Sequence, residues 1–513
     1  MGIIDGGMLP LVVEGYPGRQ SCVAGDVVEF HCSSLAASFS VEVTRVGAER
    51  VVVWDAAGVH GHEHPVPPDA ATNGCAWPVT FAIPVGPTWR SGFYEVAFRA
   101  DGIDGPEGLS HSFFVVRGNV ERSPDGMLLV LSTNTWNAYN TFGGTCLYLG
   151  ATQVSFERPM VRGFLNRPEA AYDGRLASIV PEGDPEHHQL QTYLKDGQWP
   201  MWSASAGWYN WERRFVRWAE TNGYHMDVAV NADLEQVPDL LDGYRLLLSV
   251  GHDEYWSWAM RDAIDTFVER GGNHAIFSGN TSCWQVRLEG DNMVCFKGAA
   301  AEADPVVGTD RSHLMTAAWF DPRIGRPDAA TTGLSFSRGG YARVGKATPR
   351  GSGGFTVYRP EHWVFEGTEL CYGDVVGASA TIVGYEVDGC AFTLRHGLPE
   401  PTYDDATPDG LHILATAPAR LLANNDTLRE VPKALWADPD GPGDLETVAS
   451  TLFGDTSAEN IARIAHNSAV MAVFDKGSGT VFNAGTTDWA YGLDSDPVVQ
   501  RITTNVLNRL SQP

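Results

Sequence analysis

Residues 246–257 read Leu-Leu-Leu-Ser-Val-Gly-His252-Asp253-Glu254-Tyr255-Trp256-Ser257. An apolar run of strand type stops at a cluster of charged and aromatic groups. Met260, Ala263, Ile264, Phe267 and Val268 then recur at helical spacing. The pattern repeats at once, because His274-Ala-Ile-Phe-Ser-Gly279-Asn280 is a second strand ending in a polar loop. Strand, polar loop and helix in succession define an open α/β sheet that presents side chains at the carboxyl ends of its strands. Neighbouring parallel strands would set Glu254 and Asn280 side by side. Helix capping is the plainer role for Asp253 and Glu254, since carboxylates favour helix N-termini.

The chain of 513 residues is long for one core, which implies two or more domains. Residues 1–118 form short, partly alternating runs, among them Val27-Val-Glu-Phe-His, Phe39-Ser-Val-Glu-Val-Thr and Phe93-Tyr-Glu-Val-Ala-Phe, with Gly, Pro and Asp between them. This texture predicts an Ig-like β-sandwich. Gly118–Pro124 reads as a linker, and residues 125–513 as an amidotransferase-like α/β region. Met127–Ser132, Met226–Val230 and Tyr244–Val250 are its strands, Glu212–Asn222 is a helix, and a terminal helix starts at Asp496-Pro497. A Trp-, Pro- and His-rich insertion over 163–210 suggests a lid or an interface. Residues 300–495 read as a β-rich insertion without assigned topology.

Composition excludes several partners. A net charge of −27 opposes general binding to nucleic acid or anionic membranes. No apolar run has the length of a membrane span, and a basic start followed by an apolar stretch is missing, so the expectation is a soluble, cytoplasmic protein. The eight cysteines lack CxxC spacing and read as buried thiols. Sixteen tryptophans suit large cores or aromatic-lined pockets equally. His60-Gly-His62-Glu-His64 could bind metal only adventitiously, and His187-His188 reads as solvated or packed. Nucleophile-elbow, HExxH, P-loop and dinucleotide motifs are absent from the sequence. His252-Asp253-Glu254 stands where an amidotransferase-type sheet would carry a nucleophilic cysteine. The segment Ser132–Tyr148 leaves the first α/β strand toward the same sheet edge, carrying Trp136, Tyr139, a Gly-Gly pair and Tyr148. Ordinary hydrogen-bonding loop tyrosines are the plainer reading of it.

The motifs Thr135-Trp-Asn-Ala-Tyr139-Asn, Gly143-Gly-Thr-Cys-Leu-Tyr148 leading to Arg158-Pro159, Gly251-His-Asp-Glu254-Tyr-Trp, Gly271–Asn280, Gly384-Tyr-Glu386-Val-Asp388-Gly and Gly485-Thr-Thr-Asp-Trp489 occur in order over about three quarters of the chain. In these stretches the chain resembles the large, catalytic subunit of N,N-dimethylformamidase, in its C-terminal catalytic region. The resemblance implies a mononuclear ferric iron held by Tyr139, Tyr148 and Glu254, with Tyr172 or Tyr209 as alternatives to Tyr148. It implies His252, Asn280 and Glu386 as the catalytic groups, and a small subunit or a homo-oligomer as partner. The chain departs from the formamidase in having Asp253 in place of a proline and in a longer 163–210 insertion. Phenolates and a carboxylate are hard donors that suit ferric iron. Such an ion would polarise an amide carbonyl and acidify water, while Asn280 and His252 would donate to the developing oxyanion and Glu386 or His252 would relay a proton. Trp136, Tyr139, His252 and Asp253 are expected to line a small pocket for a compact neutral amide, a formamide first. A non-catalytic carbohydrate- or polyamine-binding module and an iron enzyme of another reaction type are the competing readings.

Overall fold

The computed structural model describes residues 9–118, 126–167, 198–342, 351–384, 386–423 and 443–512. Most of the expected 163–210 insertion, including Tyr172 and His187-His188, lies outside the described residues.

The front of the chain forms two sheets around one core. Val13–Pro17, Val27–Ser34 and Val79–Pro84 make a three-stranded sheet, with Val27–Ser34 in the centre. Ser21–Cys22, Leu109–Val116, Gly92–Ala100, Ser38–Val46 and Arg50–His60 make a five-stranded one, in that spatial order. Alternation decides which side chains meet: Val28 and Phe30 of one sheet pack with Phe39, Val41, Phe98 and Phe114 of the other. The strand Gly92–Ala100 is buried on both faces. Its second face carries Phe93, which stacks on Trp208 at 4.1 Å between centroids and meets the edge of Trp136. The ion pairs Arg45–Glu220 (2.5 Å) and Arg117–Asp233 (2.8 Å) reinforce this seam.

Behind it lies a nine-stranded sheet. Its strands in chain order are β1 (Met127–Leu131), β2 (Met226–Val230), β3 (Leu246–His252), β4 (Asn273–Gly279), β5 (Phe355–Val357), β6 (Val375–Val376), β7 (His412–Ala419), β8 (Asn467–Lys476) and β9 (Gly479–Asn483). The spatial order is β2-β1-β3-β4-β9-β8-β7-β5-β6. The run from β2 to β9 is parallel, and the pairs beyond it are antiparallel. β3 is buried at every position, which explains its unbroken apolar sequence: it has a covered face on each side. Helix α1 (Thr133–Tyr139) leaves β1, helix α2 (Glu212–Thr221) precedes β2, and helix α3 (Trp258–Glu269) follows the β3 loop. Ser257 caps α3 by accepting the Met260 amide at 3.1 Å, and Met260, Ile264, Phe267 and Val268 are buried as their spacing predicts. Asp496 caps the terminal helix α4 (Pro497–Ser511) by accepting the Val498 and Val499 amides.

The stretch 300–495 is integral to the fold: it supplies β5 through β9, five of the nine strands of the central sheet. The pairing of β8 with β9 turns on Gly477, whose φ of +60° suits the two-residue hairpin between Lys476 and Gly479.

Candidate active site

Parallel pairing of β3 with β4 puts His252 opposite Gly279, so the loops after both strands leave the sheet together. The Ser282 amide donates to the Asp253 carbonyl and the Trp284 amide to the Glu254 carbonyl, each at 2.9 Å. The Glu254 amide donates to Thr135 Oγ1 of α1 at 3.0 Å. Tyr139 lies four residues beyond Thr135, on the same helical face. Leu147 closes the following loop onto α1 by donating to the Ala138 carbonyl at 3.1 Å, which sets Tyr148 beside Tyr139. Their rings stack at 4.1 Å between centroids.

Arg158-Pro159 fastens this loop. The buried guanidinium donates to the carbonyls of Ser155 (3.0 Å), Phe142 (2.7 Å) and Asn137 (3.0 Å). Asn140 donates to the Pro159 carbonyl and accepts the amides of Phe142 and Val161. Burial pushes the Arg158 pKa down to about 10, which leaves it cationic at neutral pH.

The Tyr148 hydroxyl donates to both Glu254 oxygens, at 2.7 and 2.8 Å, and Trp284 Nε1 donates to Glu254 Oε1 at 2.8 Å. Burial first, then the charge of Glu254, raises the Tyr148 phenol well above its ordinary value. It therefore stays protonated unless a cation takes the proton's place. On the other side His252 Nε2 stands 2.8 Å from Glu386 Oε2 and 3.4 Å from Glu254 Oε2, while its Nδ1 meets the Ser205 carbonyl at 2.9 Å. Burial alone would lower the imidazole. The charge and hydrogen bond of Glu386, with help from Glu254 and Ser205, reverse this and hold it at about 9, so His252 is an imidazolium at neutral pH. Asn280 Nδ2 donates to Glu386 Oε2 at 3.3 Å. Asn280 has a φ of +52°, a left-handed conformation that asparagine tolerates better than most residues. Glu386 reaches this place because Gly279 has no side chain: a Cβ there would lie 2.6 Å from the Glu386 carbonyl oxygen.

Tyr139, Tyr148, Glu254, His252, Asn280 and Glu386 therefore converge. Trp136 and Asp253 stand apart from them. The Trp136 indole packs against Phe93 and Phe113 and donates to Glu212 at 3.2 Å. The Asp253 carboxylate turns to Asn231 Nδ2 at 3.1 Å, and burial pushes it up to about 6. Tyr209 is enclosed between Arg167 and Arg213. Among the described residues, no three His, Cys, Asp or Glu side chains group as a metal site, so the histidines of 60–64 form none. Phenol oxygens are what would complete a donor set, and those present are hard donors.

Sequence reading missed four neighbours. Trp202 faces both phenols, at 5.5 and 5.3 Å between centroids. Trp284 holds Glu254. Tyr255 donates to the Tyr148 hydroxyl at 2.8 Å, and Lys297 donates to Tyr255 at 2.7 Å. The Lys297 ammonium also lies 3.5 Å from the Tyr148 ring centroid. The available signal was scarcity, since Lys297 is one of five lysines in an acidic chain.

Residues 40–504 match the family model described as N,N-dimethylformamidase beta subunit-like, C-terminal. The N,N-dimethylformamidase beta subunits of an Alcaligenes species and of Paracoccus aminophilus are each 25% identical over 363 residues, covering 64% of this chain. The matched part spans 44% of each relative's length. Among solved structures, domain 1 of VCBP3 from Branchiostoma floridae matches 21% of this chain and 96% of its own at 14% identity, with a TM-score of 0.14, too low to bear on the fold. With its match extending over most of its length, this chain belongs to the N,N-dimethylformamidase beta subunit-like, C-terminal family.

Proposed function

We propose that this chain is the catalytic, large-subunit type of its family and hydrolyses the C–N bond of small neutral amides, formamides first, with a ferric ion held by Tyr139, Tyr148 and Glu254. One observation carries the reading: a half-buried phenol aims its hydroxyl at both oxygens of a buried carboxylate, under a second stacked phenol. When bound, the ion would supply Lewis acidity toward the amide carbonyl and toward water.

The chain's own residues account for the remaining steps. Trp202 and the faces of Tyr139 and Tyr148 give apolar walls for a compact amide and shed water. Asn280 Nδ2 makes one long bond to Glu386 in the resting site and can turn to the oxygen on which negative charge develops. Water adds to the carbonyl carbon, and Glu386 takes the proton it releases. The C–N bond then breaks as His252 Nε2 gives its proton to the departing nitrogen, and Glu386 returns a proton to the imidazole. The products are formic acid, which ionises to formate on release, and an amine. The acidic chain repels anionic substrates.

The relatives' designation as beta subunits supports assembly with a further subunit. Parallel strands flanked by helices support the amidotransferase-like reading of the larger sheet, and two facing, mostly antiparallel sheets support the Ig-like reading of the front.

The test is metal analysis and turnover on untagged protein. About one ferric ion per chain, a visible phenolate charge-transfer band and release of formate from N,N-dimethylformamide are expected. A metal-free chain that binds sugars or polyamines without turnover would overturn the reading in favour of a binding module. Turnover confined to cationic aminoalkyl amides would overturn the choice of formamide.

A further inference from the structure

Tyr255 and Lys297 have no part in the steps above, yet they begin a chain of hydrogen bonds that ends at the metal-binding oxygens. Lys297 Nζ donates to the Tyr255 hydroxyl at 2.7 Å, Tyr255 donates to the Tyr148 hydroxyl at 2.8 Å, and Tyr148 donates to Glu254. Each hydroxyl therefore receives one hydrogen bond and passes one on. The order is fixed at its start, because an ammonium can only donate. Tyr255 is fully buried, and its backbone belongs to a short strand, Tyr255–Ser257, paired with Trp284–Glu289. Lys297 has a φ of +40°, unusual for a residue with a side chain, and its ammonium sits 3.5 Å from the ring centroid of Tyr148, 4.7 Å from that of Trp284 and 5.2 Å from that of Tyr255. A strained backbone that persists is held by its surroundings, here by three aromatic faces and one hydroxyl.

We infer that Tyr255, oriented by Lys297, is a positioning residue that sets the donor strength of Tyr148 toward the ferric ion. The inference rests on the metal reading above. With the ion in place of the Tyr148 proton, which would pass to solvent, the Tyr255 hydrogen bond would remain and would be one to an anion, shorter and stronger than one between neutral groups. It draws electron density from the phenolate oxygen, and the ammonium over the ring acts in the same sense. Groups that hydrogen-bond a metal ligand in this way tune its affinity for the metal and its electronic properties.

The experiment compares wild type, Tyr255→Phe and Lys297→Met, each loaded with ferric iron and titrated with a chelator. Tyr255→Phe keeps one iron per chain, moves the phenolate band to longer wavelength and, having lost the donor that stabilises the anionic form of the ligand, gives up its iron at ~10–100-fold lower chelator concentration. Lys297→Met moves the band in the same direction with both phenols intact, and Lys297→Arg restores it toward the wild-type position. An unshifted band in Tyr255→Phe overturns the inference while leaving the metal reading intact. Should Tyr255→Phe fail to fold, an unshifted band in Lys297→Met does the same. A wild-type chain with no band overturns the metal reading and this inference with it.

Discussion

The two ends of the site are both buried and both acidic, yet they are built on opposite plans. At one end Glu254 receives the hydroxyl of Tyr148 and the indole of Trp284, with Lys297 behind the phenols. The hydrogen-bond donors to that carboxylate are carried on rigid rings, and the nearby cation lies against three aromatic faces. At the other end Glu386 is shared by His252 and Asn280, the latter at 3.3 Å, and the imidazole can carry or release a proton. Rigid donors around a fixed anion suit holding charge, whereas a carboxylate in contact with a titratable ring suits moving it. The same loop, His252-Asp253-Glu254, serves both ends by keeping His252 and Glu254 on one side, 3.4 Å apart, with Asp253 turned away to Asn231.

The largest expected effect separates the two ends. Glu254→Ala should abolish iron retention and turnover together, since it removes an anionic donor and strands the Tyr148 and Trp284 donors in a buried place. Asn280→Ala should keep the iron and its band while turnover falls by roughly 10²–10³-fold, the usual cost of one oxyanion donor. Metal analysis alongside formate release checks both. Equal loss of iron in the two variants would erase the distinction between the ends.

What the sequence disclosed and what it hid follow the range of the interactions. The β3 and β4 repeats are contiguous, so their apolar runs revealed adjacent parallel strands, whose loops carry Glu254 and Asn280 into one site. The helical phase of 260–268 was equally plain. Lys297 was not, because it joins the site from an irregular segment through one left-handed residue, and no periodicity marks such a turn. Strands β5 to β9 were hidden for a related reason. β5 and β6 are three and two residues long, and β7 pairs with β8 across a separation of about fifty to sixty positions. Short apolar runs of that kind do not declare their partners. Trp136 misled because an aromatic residue three positions from Tyr139 reads as pocket lining, while the second face of Gly92–Ala100, which claims it, belongs to the front sheets.

Trp136 tests the ground beneath the phenol end. The indole donates to Glu212, a fully buried carboxyl that burial pushes up to about 8. Trp136→Phe keeps most of the packing against Phe93 and Phe113 but removes that donor, so stability should fall by ~1–3 kcal/mol. KM for formamides and the iron content should not change. Urea midpoints and initial rates on the same preparation check this. A changed KM with unchanged stability would return Trp136 to the pocket wall.

The smallest effect concerns the imidazole end and appears only in pH dependence. Asp388 is buried two residues beyond Glu386 and accepts the Thr281 amide at 3.0 Å, beneath the left-handed turn at Asn280. Burial disfavours its charged form and raises its pKa to about 8 from 3.8 in an unfolded chain. Between these values the unfolded chain has released a proton that the folded chain keeps. The contribution of Asp388 to stability is thus fully present below about pH 4 and declines as pH rises to about 8, with a slope of at most about 1.4 kcal/mol per pH unit. Asp388→Asn accepts the same amide without a titratable proton, so its urea midpoint should fall less than that of wild type over this interval. Asp328, pushed up to about 7, and Glu212 tilt both proteins in the same direction, and His274, pushed down to about 3, opposes them at the acid end. These groups are common to both chains, so the difference between the two curves isolates Asp388. Parallel curves would mean that Asp388 is ionised in the folded state. The floor beneath Asn280 would then be anionic, and the contrast between a charge-holding end and a proton-moving end would fail at that point.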